Sequence, residues 1–168
     1  MKVTRLIAVF TAFVAAGQIA FYSPRLPRMV ASHYDGAGNP NGWMSKETFV
    51  VIYGAFMAFF LLLAFASQVF INGIPTRLLN LPNRDYWLSG DREAKARADL
   101  ADMITWIYVG ILVFFVIVFQ LVFEANIGYT RNLPISWFWW IFGGFLCFVI
   151  VWSVRLYTRF RLPDPGIR

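Results

Sequence analysis

Four long apolar stretches divide the chain, separated by shorter segments rich in polar and turn-forming residues. A transmembrane helix needs about 20 mainly apolar residues, because the hydrocarbon core is about 30 Å thick and a helix rises about 1.5 Å per residue. The stretches lack the polar and apolar alternation of barrel strands, so helices are predicted. They cover residues 6–22, 48–71, 103–123 and 137–157. The pattern predicts an all-α integral membrane protein with a single four-span domain over residues 1–168.

The composition supports a membrane protein and excludes several other classes. Of the 168 residues, 59% are hydrophobic and 14% are charged, and the mean hydropathy is +0.59. A soluble domain carries about 25% charged residues, so most of this surface faces something other than water. The same values exclude a disordered chain. The single cysteine, Cys147, excludes a disulfide framework or a thiolate metal site.

Lysine and arginine fall unevenly on the two sides of the predicted membrane. Short cytoplasmic loops carry the excess of basic residues, and eleven of the 15 lie on the side that holds both termini. Both termini are therefore predicted to be cytoplasmic. The net charge of +6 then reflects topology and attraction to anionic lipid, and no nucleic-acid partner is expected, since no soluble basic domain exists. The eleven are Lys2, Arg5, Arg77, Arg84, Arg92, Lys95, Arg97, Arg155, Arg159, Arg161 and Arg168, and the other four are Arg25, Arg28, Lys46 and Arg131.

The first stretch also has features of a cleaved signal peptide. Lys2 and Arg5 precede an apolar run, and Val14, Ala15 and Ala16 would suit a signal peptidase. A retained membrane anchor is the preferred interpretation.

The first connection, residues 23–47, is predicted to be a compact, turn-rich loop outside the cytoplasm. Pro24 and Pro27 end the first helix, and glycines and Asn-Gly or Asn-Pro pairs favour turns. An ordered set of residues runs through this loop into the next helix: Leu26, Pro27, Ser32, His33, Tyr34, Gly38, Pro40, Gly42, Trp43, Ser45 and Lys46. This order resembles a bacterial membrane-protein family called domain of unknown function 1648, over about a quarter of the chain.

The resemblance implies a multi-pass protein of the bacterial cytoplasmic (inner) membrane. The family includes SdpI-type immunity proteins, which protect a cell from a secreted toxic peptide and take part in signalling. This chain differs from them in having four spans rather than a longer architecture, and in having Asn39 and Asn41 where acidic residues are common. The resemblance therefore favours the family more strongly than the immunity role.

The outer loop is the main candidate for recognition of a partner. The only histidine, His33, stands near Asp35, which suggests a metal site as an alternative. A metal needs three or four converging ligands, and the loop has no second histidine and no cysteine, so no metal and no cofactor are predicted. His33 is interpreted first as a structural hydrogen-bonding residue, and Trp43 also suits an interfacial anchor. The candidate recognition residues are Leu26, Pro27, His33, Tyr34, Gly38, Pro40, Gly42, Trp43 and Lys46.

The second connection, residues 72–102, is predicted to face the cytoplasm. Its first half has too many turn residues for a helix and too many apolar residues for a solvated linker, so it should pack at the membrane interface. Residues 80–88 are also similar to a stretch in short members of the family. Both a structural role and a role in partner contact are open, and the candidate contact residues are Asn80, Pro82, Asn83, Arg84, Asp85, Tyr86 and Trp87.

Residues 91–102 are predicted to form a polar helix that runs into the third span. Glu93 and Arg97, like Lys95 and Asp99, are four residues apart and share a helix face. A solvated face is the expected environment for such pairs.

Within the spans, small and amide side chains indicate contacts between helices. An alanine at every fourth position of the first span predicts a close packing face, against another span or another chain. Gln18, Gln68 and Gln120 are predicted to form interhelical hydrogen bonds. The alanine stripe consists of Ala8, Ala12, Ala16 and Ala20.

These patterns predict a protein without catalytic machinery, with a binding, accessory or signalling role. The alternatives are an SdpI-like immunity protein and a small transporter or channel. The transporter is disfavoured because the middle of each span lacks a charged residue. The expected partners are membrane lipid and either a membrane protein complex or a peptide, and the oligomeric state is left open.

Overall fold

The structure, a computed structural model, describes residues 3–163. Lys2 and Arg168, which the charge count includes, lie outside this range. The described residues form four long helices, a hairpin of two strands and one short helix. In chain order these are α1 (Val3–Tyr22), β1 (Met29–Tyr34), β2 (Pro40–Ser45), α2 (Lys46–Gly73), α3 (Arg84–Trp87), α4 (Arg92–Ile127) and α5 (Ile135–Arg159).

The prediction of a four-span helical membrane protein is confirmed, since α1, α2, α4 and α5 are each long and apolar enough to cross a membrane. The predicted polar helix and the third span are one continuous helix, α4, of 36 residues. At 1.5 Å per residue α4 is about 54 Å long, so it projects well beyond a hydrocarbon core of about 30 Å.

Three of the long helices form the core, and the fourth lies at its side. Helices α1, α2 and α4 pack against one another, whereas α5 packs against α4. Tyr53 and Phe123 are fully buried in the centre, and the Tyr53 ring stacks on Phe119 with the ring centroids 4.0 Å apart. None of the residues of α5 is buried. The hairpin lies at one end of the bundle, here called the hairpin end, and Arg97 and Arg159 lie at the other, here called the basic end.

A chain of amide and hydroxyl groups joins the three core helices. Gln18 on α1 donates to the Val116 carbonyl at 3.0 Å and to Gln120 Oε1 at 2.8 Å, both on α4. The Tyr53 hydroxyl on α2 donates to Gln18 Oε1 at 2.5 Å. Such bonds stabilise helix association in lipid because the alternative is an unpaired polar group in hydrocarbon. The prediction is confirmed for Gln18 and Gln120, whereas Gln68 makes no such bond within the described range.

The packing face of α1 differs from the predicted alanine stripe. Ala8 is fully buried and Ala12 partly buried, but Ala16 and Ala20 are exposed. The predicted packing face is therefore wrong for Ala16 and Ala20 as a contact within the chain. Four residues of an α-helix turn by about 400°, which is 40° more than one full turn. Each successive alanine is therefore rotated further from the packing face, and Ala20 no longer lies on it. The buried positions instead alternate steps of four and three residues. They are Thr4, Ala8, Thr11, Ala15, Gln18 and Tyr22.

The predicted turn-rich loop after α1 contains a strand on each side of its turn. β1 and β2 pair antiparallel, with Met29 opposite Ser45 and Val30 opposite Met44. Ser45 then caps α2, since its hydroxyl accepts from the Thr48 N–H at 3.1 Å. Each strand has only six residues without clean alternation of burial, which is why the hydrophobic pattern alone missed the hairpin.

Candidate functional site

The hairpin is tied to the end of α1 through its first residues. Leu26 is buried, and its N–H donates to the Tyr22 carbonyl at 3.0 Å. The Lys46 N–H donates to the Arg28 carbonyl at 3.0 Å, so strand pairing continues to the first residue of α2. Because Pro27 lies between these bonds and restricts the chain, the hairpin enters and leaves the bundle at fixed points.

Asp35 organises the turn between the strands. Its Oδ1 accepts from the N–H groups of Ala37 and Asn39, each at 2.9 Å, and its Oδ2 accepts from the Asn39 side-chain amide at 3.1 Å. The hydrogen bonds from the Asn39 backbone and side chain lower the pKa of Asp35 below its ordinary value. The carboxylate thus stabilises the turn, which supports a structural role for Asp35.

Gly38 joins the turn to the connection between α4 and α5. Its φ angle is +86°, a region that residues with a Cβ rarely adopt. Its carbonyl accepts from the Leu133 N–H at 2.9 Å, and an added Cβ would lie 2.4 Å from the Leu133 carbonyl oxygen. Glycine is therefore required both for the backbone angle and for the close approach of the two segments.

Gly38→Ala is expected to lower the free energy of unfolding by about 2 kcal/mol, because a left-handed residue with a Cβ costs about 1–2 kcal/mol and the added Cβ would also clash with the Leu133 carbonyl oxygen. Denaturation in detergent micelles would measure the change. Gly36→Ala is the matched control, since Gly36 lies in the same turn without a positive φ and with no atom within 4 Å of an added Cβ. Equal losses in the two variants would contradict the proposed constraint at Gly38.

Asn126, near the end of α4, fixes the hairpin to the bundle. Its Oδ1 accepts from the Ala31 N–H at 2.7 Å, and its Nδ2 donates to the Ala31 carbonyl at 3.0 Å and to the Val122 carbonyl at 2.9 Å. The amide thus bonds Ala31 as a neighbouring strand would. Asn126 is only 3% exposed, so these bonds form away from water.

Tyr34 adds a hydroxyl to the Asn126 contact. Its hydroxyl oxygen accepts from Asn126 Nδ2 at 3.2 Å, and the hydroxyl donates to the Ala31 carbonyl at 3.3 Å. Burial raises the pKa of Tyr34 to about 12, so the hydroxyl keeps its proton at neutral pH and can donate. Tyr34, a predicted recognition residue, therefore has a structural role at the end of β1, beside the turn.

An aromatic residue on the exposed surface of the hairpin pairs with a cation from the connection between α4 and α5. Trp43 is 44% exposed, and the Arg131 guanidinium carbon lies 5.5 Å from the centroid of its ring. Arg131 has a φ angle of +56°, which is uncommon for a residue with a Cβ. Met29 is half exposed on the neighbouring strand. The hairpin thus presents large side chains on a backbone that is held at several points.

The other predicted recognition residues occupy the rest of the hairpin. His33 is exposed, and its Nδ1 lies 3.0 Å from the Ser32 hydroxyl. A Cβ on Gly42 would lie 3.0 Å from the His33 Cβ, so Gly42 makes room for the histidine. Pro40 pairs with Tyr34 at the start of β2. No group of three or more His, Cys, Asp or Glu side chains within residues 3–163 could hold a metal ion.

The candidate contact segment at the basic end is largely occupied by contacts within the chain. The Asn83 side-chain amide and the Trp87 indole N–H both donate to the Phe160 carbonyl, at 2.9 and 2.8 Å. Asn83 adopts the left-handed region with φ +53° to reach it. Asn80, Arg84 and Asp85 are exposed, whereas Pro82 and Tyr86 are partly buried. The arrangement favours a structural role for Asn83 and Trp87.

The predicted solvated face of the polar helix is wrong for Arg97. Its side chain is only 11% exposed and donates to the carbonyls of Ile71 and Ile74, at 2.6 and 2.9 Å, while it pairs with Glu93. A cation at the end of α2 satisfies carbonyls that have no partner within the helix and complements the helix dipole. The Glu93–Arg97 pair therefore joins α4 to the end of α2.

Sequence reasoning missed the residues that hold the hairpin in place. Asn126 follows the predicted third span, and its polar amide at the end of an apolar run is the one signal that could have marked it. Leu133 and Arg131 lie in a short connection and contact residues about 90 positions earlier. No local pattern encodes such pairings.

The comparisons with known proteins give one match. The model of the family described as Domain of unknown function (DUF1648) matches residues 7–63. This segment contains most of α1, the whole hairpin and the first part of α2. The match supports membership of this family, as the motif in the outer loop predicted. No curated protein and no solved structure matches the chain. The relation to SdpI-type proteins stays a prediction.

Proposed function

Because the DUF1648 family model matches residues 7–63 and the chain contains four helices suited to crossing a membrane, we propose that it is a non-enzymatic accessory or signalling protein of a bacterial cytoplasmic membrane. In this proposal the hairpin faces the outside and binds a protein or peptide partner. The observation that carries the proposal is the exposed Trp43 on a hairpin anchored at Asn126 and Leu133, with the guanidinium of Arg131, from the connection between α4 and α5, over its ring.

The fixed backbone of the hairpin favours binding because it is preorganised. Binding is strongest when few groups must be ordered at the interface. A backbone held by hydrogen bonds is already ordered before a partner binds. Tryptophan and arginine are the residues that most often dominate binding energy at interfaces. Arg131 keeps a left-handed backbone that costs about 1–2 kcal/mol, and such strained positions cluster at functional sites.

The side of the membrane that carries the hairpin is tested first. In a Cys147→Ser background, which removes the exposed native thiol, a cysteine at Ala37 in the turn should react with an impermeant thiol reagent outside intact cells. A cysteine at Ala94, exposed on α4 at the basic end, should not react. The opposite labelling would overturn the proposed orientation.

Partner binding is then measured by quantitative mass spectrometry of proteins and peptides that purify with the chain from native membranes. Trp43→Ala and Arg131→Gly are each expected to reduce recovery of the partner about tenfold or more, as removal of a dominant interface residue does. Asn41→Ala, an exposed position in β2, is the control and should retain the partner. Absence of a specific partner, or equal recovery with all variants, would refute the proposal.

Arg131→Gly separates binding from folding. Glycine removes the left-handed strain, worth about 1 kcal/mol, but increases the freedom of the unfolded chain by a similar 0.5–1 kcal/mol. The free energy of unfolding should therefore change little while the guanidinium is lost. A large loss of stability would mean that Arg131 serves the fold instead of a partner.

A further inference from the structure

Two adjoining cavities line the contact between α4 and α5. Their volumes are about 470 Å³ and about 400 Å³, within the range of about 300–1,000 Å³ typical of small-molecule sites. Trp106 and Phe148 belong to both linings, so the cavities meet at these two side chains. One cavity is apolar and the other carries four charged residues, so together they form an amphipathic groove.

The apolar cavity lies along the membrane-spanning parts of the helices. On α4 its lining extends from Trp106 to Ile117, about 17 Å at 1.5 Å per residue. This length is close to the depth of one leaflet, about half of a 30 Å hydrocarbon core. At Gly110 the Phe148 ring fills the space that a Cβ would need, but beside Gly144 nothing lies within 4 Å. The groove therefore stays open at Gly144.

The charged cavity lies at the basic end of the same groove. Its lining includes Asp99 and Asp102 on α4 and Arg155 and Arg159 on α5. Arg159 and Lys95 both contact the same oxygen of Asp99, Oδ2. Two carboxylates and two guanidinium groups leave the lining close to neutral, with both signs of charge within one cavity.

We propose that this groove binds one phospholipid whose headgroup carries both a phosphate and a primary ammonium group, from the leaflet at the basic end. One acyl chain lies in the apolar cavity beside Gly144. The exposed Arg155 guanidinium binds the phosphate, for which arginine provides paired donors. The ammonium group binds Asp99, because an ionised carboxylate has about four acceptor positions and the two cations share one of its oxygens.

The charge of the lining selects this headgroup over the other common ones. Phosphatidylglycerol can bind Arg155 through its phosphate but offers Asp99 only neutral hydroxyl groups, which make weaker hydrogen bonds to a carboxylate than an ammonium group makes. A quaternary ammonium headgroup has no N–H to donate to a carboxylate. Phosphatidylethanolamine therefore fits the groove better than phosphatidylglycerol or phosphatidylcholine.

The test is native mass spectrometry of the full chain released from bilayer discs containing equal amounts of these three lipids. The wild-type chain is expected to retain one phosphatidylethanolamine, at least about tenfold above either competitor. Retention of no lipid, or equal retention of the three, would overturn the proposal.

Two adjacent glycines provide a test variant and a matched control for the acyl-chain site. Gly144→Leu places a side chain at the apolar cavity, where no protein atom lies within 4 Å of an added Cβ, whereas Gly143 does not line the cavity and has the same open space around an added Cβ. Retention of the lipid should fall about tenfold or more in Gly144→Leu and stay at the wild-type level in Gly143→Leu. Loss in both variants, or in neither, would refute the site.

A second pair tests the headgroup and does not depend on the folding of the glycine variants. Arg155→Gln should reduce retention of phosphatidylethanolamine about tenfold, and Arg161→Gln, at an exposed arginine outside the lining, should not. Equal retention by the two arginine variants would overturn the assignment of the phosphate to Arg155.

Discussion

Asn126→Leu is expected to lower the free energy of unfolding by about 3 kcal/mol and to release the hairpin from the helix bundle. Leucine has the same branched arrangement of four side-chain heavy atoms as asparagine, so the shape is kept while the amide is lost. The Ala31 N–H would then lose its partner and the Ala31 carbonyl would keep only the 3.3 Å bond from the Tyr34 hydroxyl, and an unpaired buried group costs about 1–3 kcal/mol. Denaturation in detergent micelles would give the loss of stability.

Amide hydrogen exchange would show where the loss occurs. The Ala31 N–H should exchange much faster in Asn126→Leu, whereas amides in the buried middle of α2 should remain protected. Asn132→Leu is the control, because Asn132 is exposed in the connection before α5, and surface substitutions usually change stability by no more than about 0.5 kcal/mol. Unchanged protection of Ala31 would contradict its dependence on Asn126.

The Asn126 contact explains why the helices were predictable and the hairpin was not. A membrane-spanning helix is encoded locally, because every backbone group must pair within the segment and about 20 apolar residues reveal it. The hairpin is held by bonds between Ala31 and Asn126, 95 positions apart. The amide of Asn126 is a local signal, but nothing in the sequence near either residue identifies the other as its partner. Only the folded chain brings them together.

Within the candidate site, the structure agrees better with the residues predicted to form turns than with the residues predicted to contact a partner. Gly38 is one of the glycines predicted to favour a turn, and its φ of +86° agrees. Gly42 belongs to the same prediction, but an added Cβ there would meet His33, so its importance comes from the nearness of that residue. Asn83 and Trp87 were candidates for an external contact, yet both bond the Phe160 carbonyl. Turn preference is a property of single residues, whereas availability for a partner depends on the whole fold.

The face of α1 illustrates a further limit of sequence patterns. The alanines at every fourth position were conspicuous, but the buried face also includes Thr11 and Gln18. Because these two side chains are polar, the buried positions do not form a periodic pattern of apolar residues in the sequence. Thr11 bonds the Ile7 carbonyl within its own helix at 2.8 Å, and Gln18 bonds α4. Because their polar atoms are paired, these residues can lie on a packing face in a membrane.

Ala15→Leu is therefore expected to lower the free energy of unfolding by about 2–3 kcal/mol. Ala15 is 2% exposed among residues of the core, and forcing extra carbon atoms into a packed interior displaces the neighbouring helices. Small residues at such positions are what permits close approach of helices in lipid. The change would be measured by denaturation in mixed micelles, with far-ultraviolet circular dichroism to follow loss of helix.

Ala16→Leu is the matched control, since it makes the same chemical change one residue along α1 at an exposed position. Its expected effect is no more than about 0.5 kcal/mol, because a leucine facing lipid displaces no protein atom. The two adjacent alanines thus distinguish the observed face from the stripe of Ala8, Ala12, Ala16 and Ala20. A larger loss for Ala16→Leu than for Ala15→Leu would mean that the stripe packs against another chain, and equal tolerance of both leucines would mean that α1 does not pack tightly in the bundle.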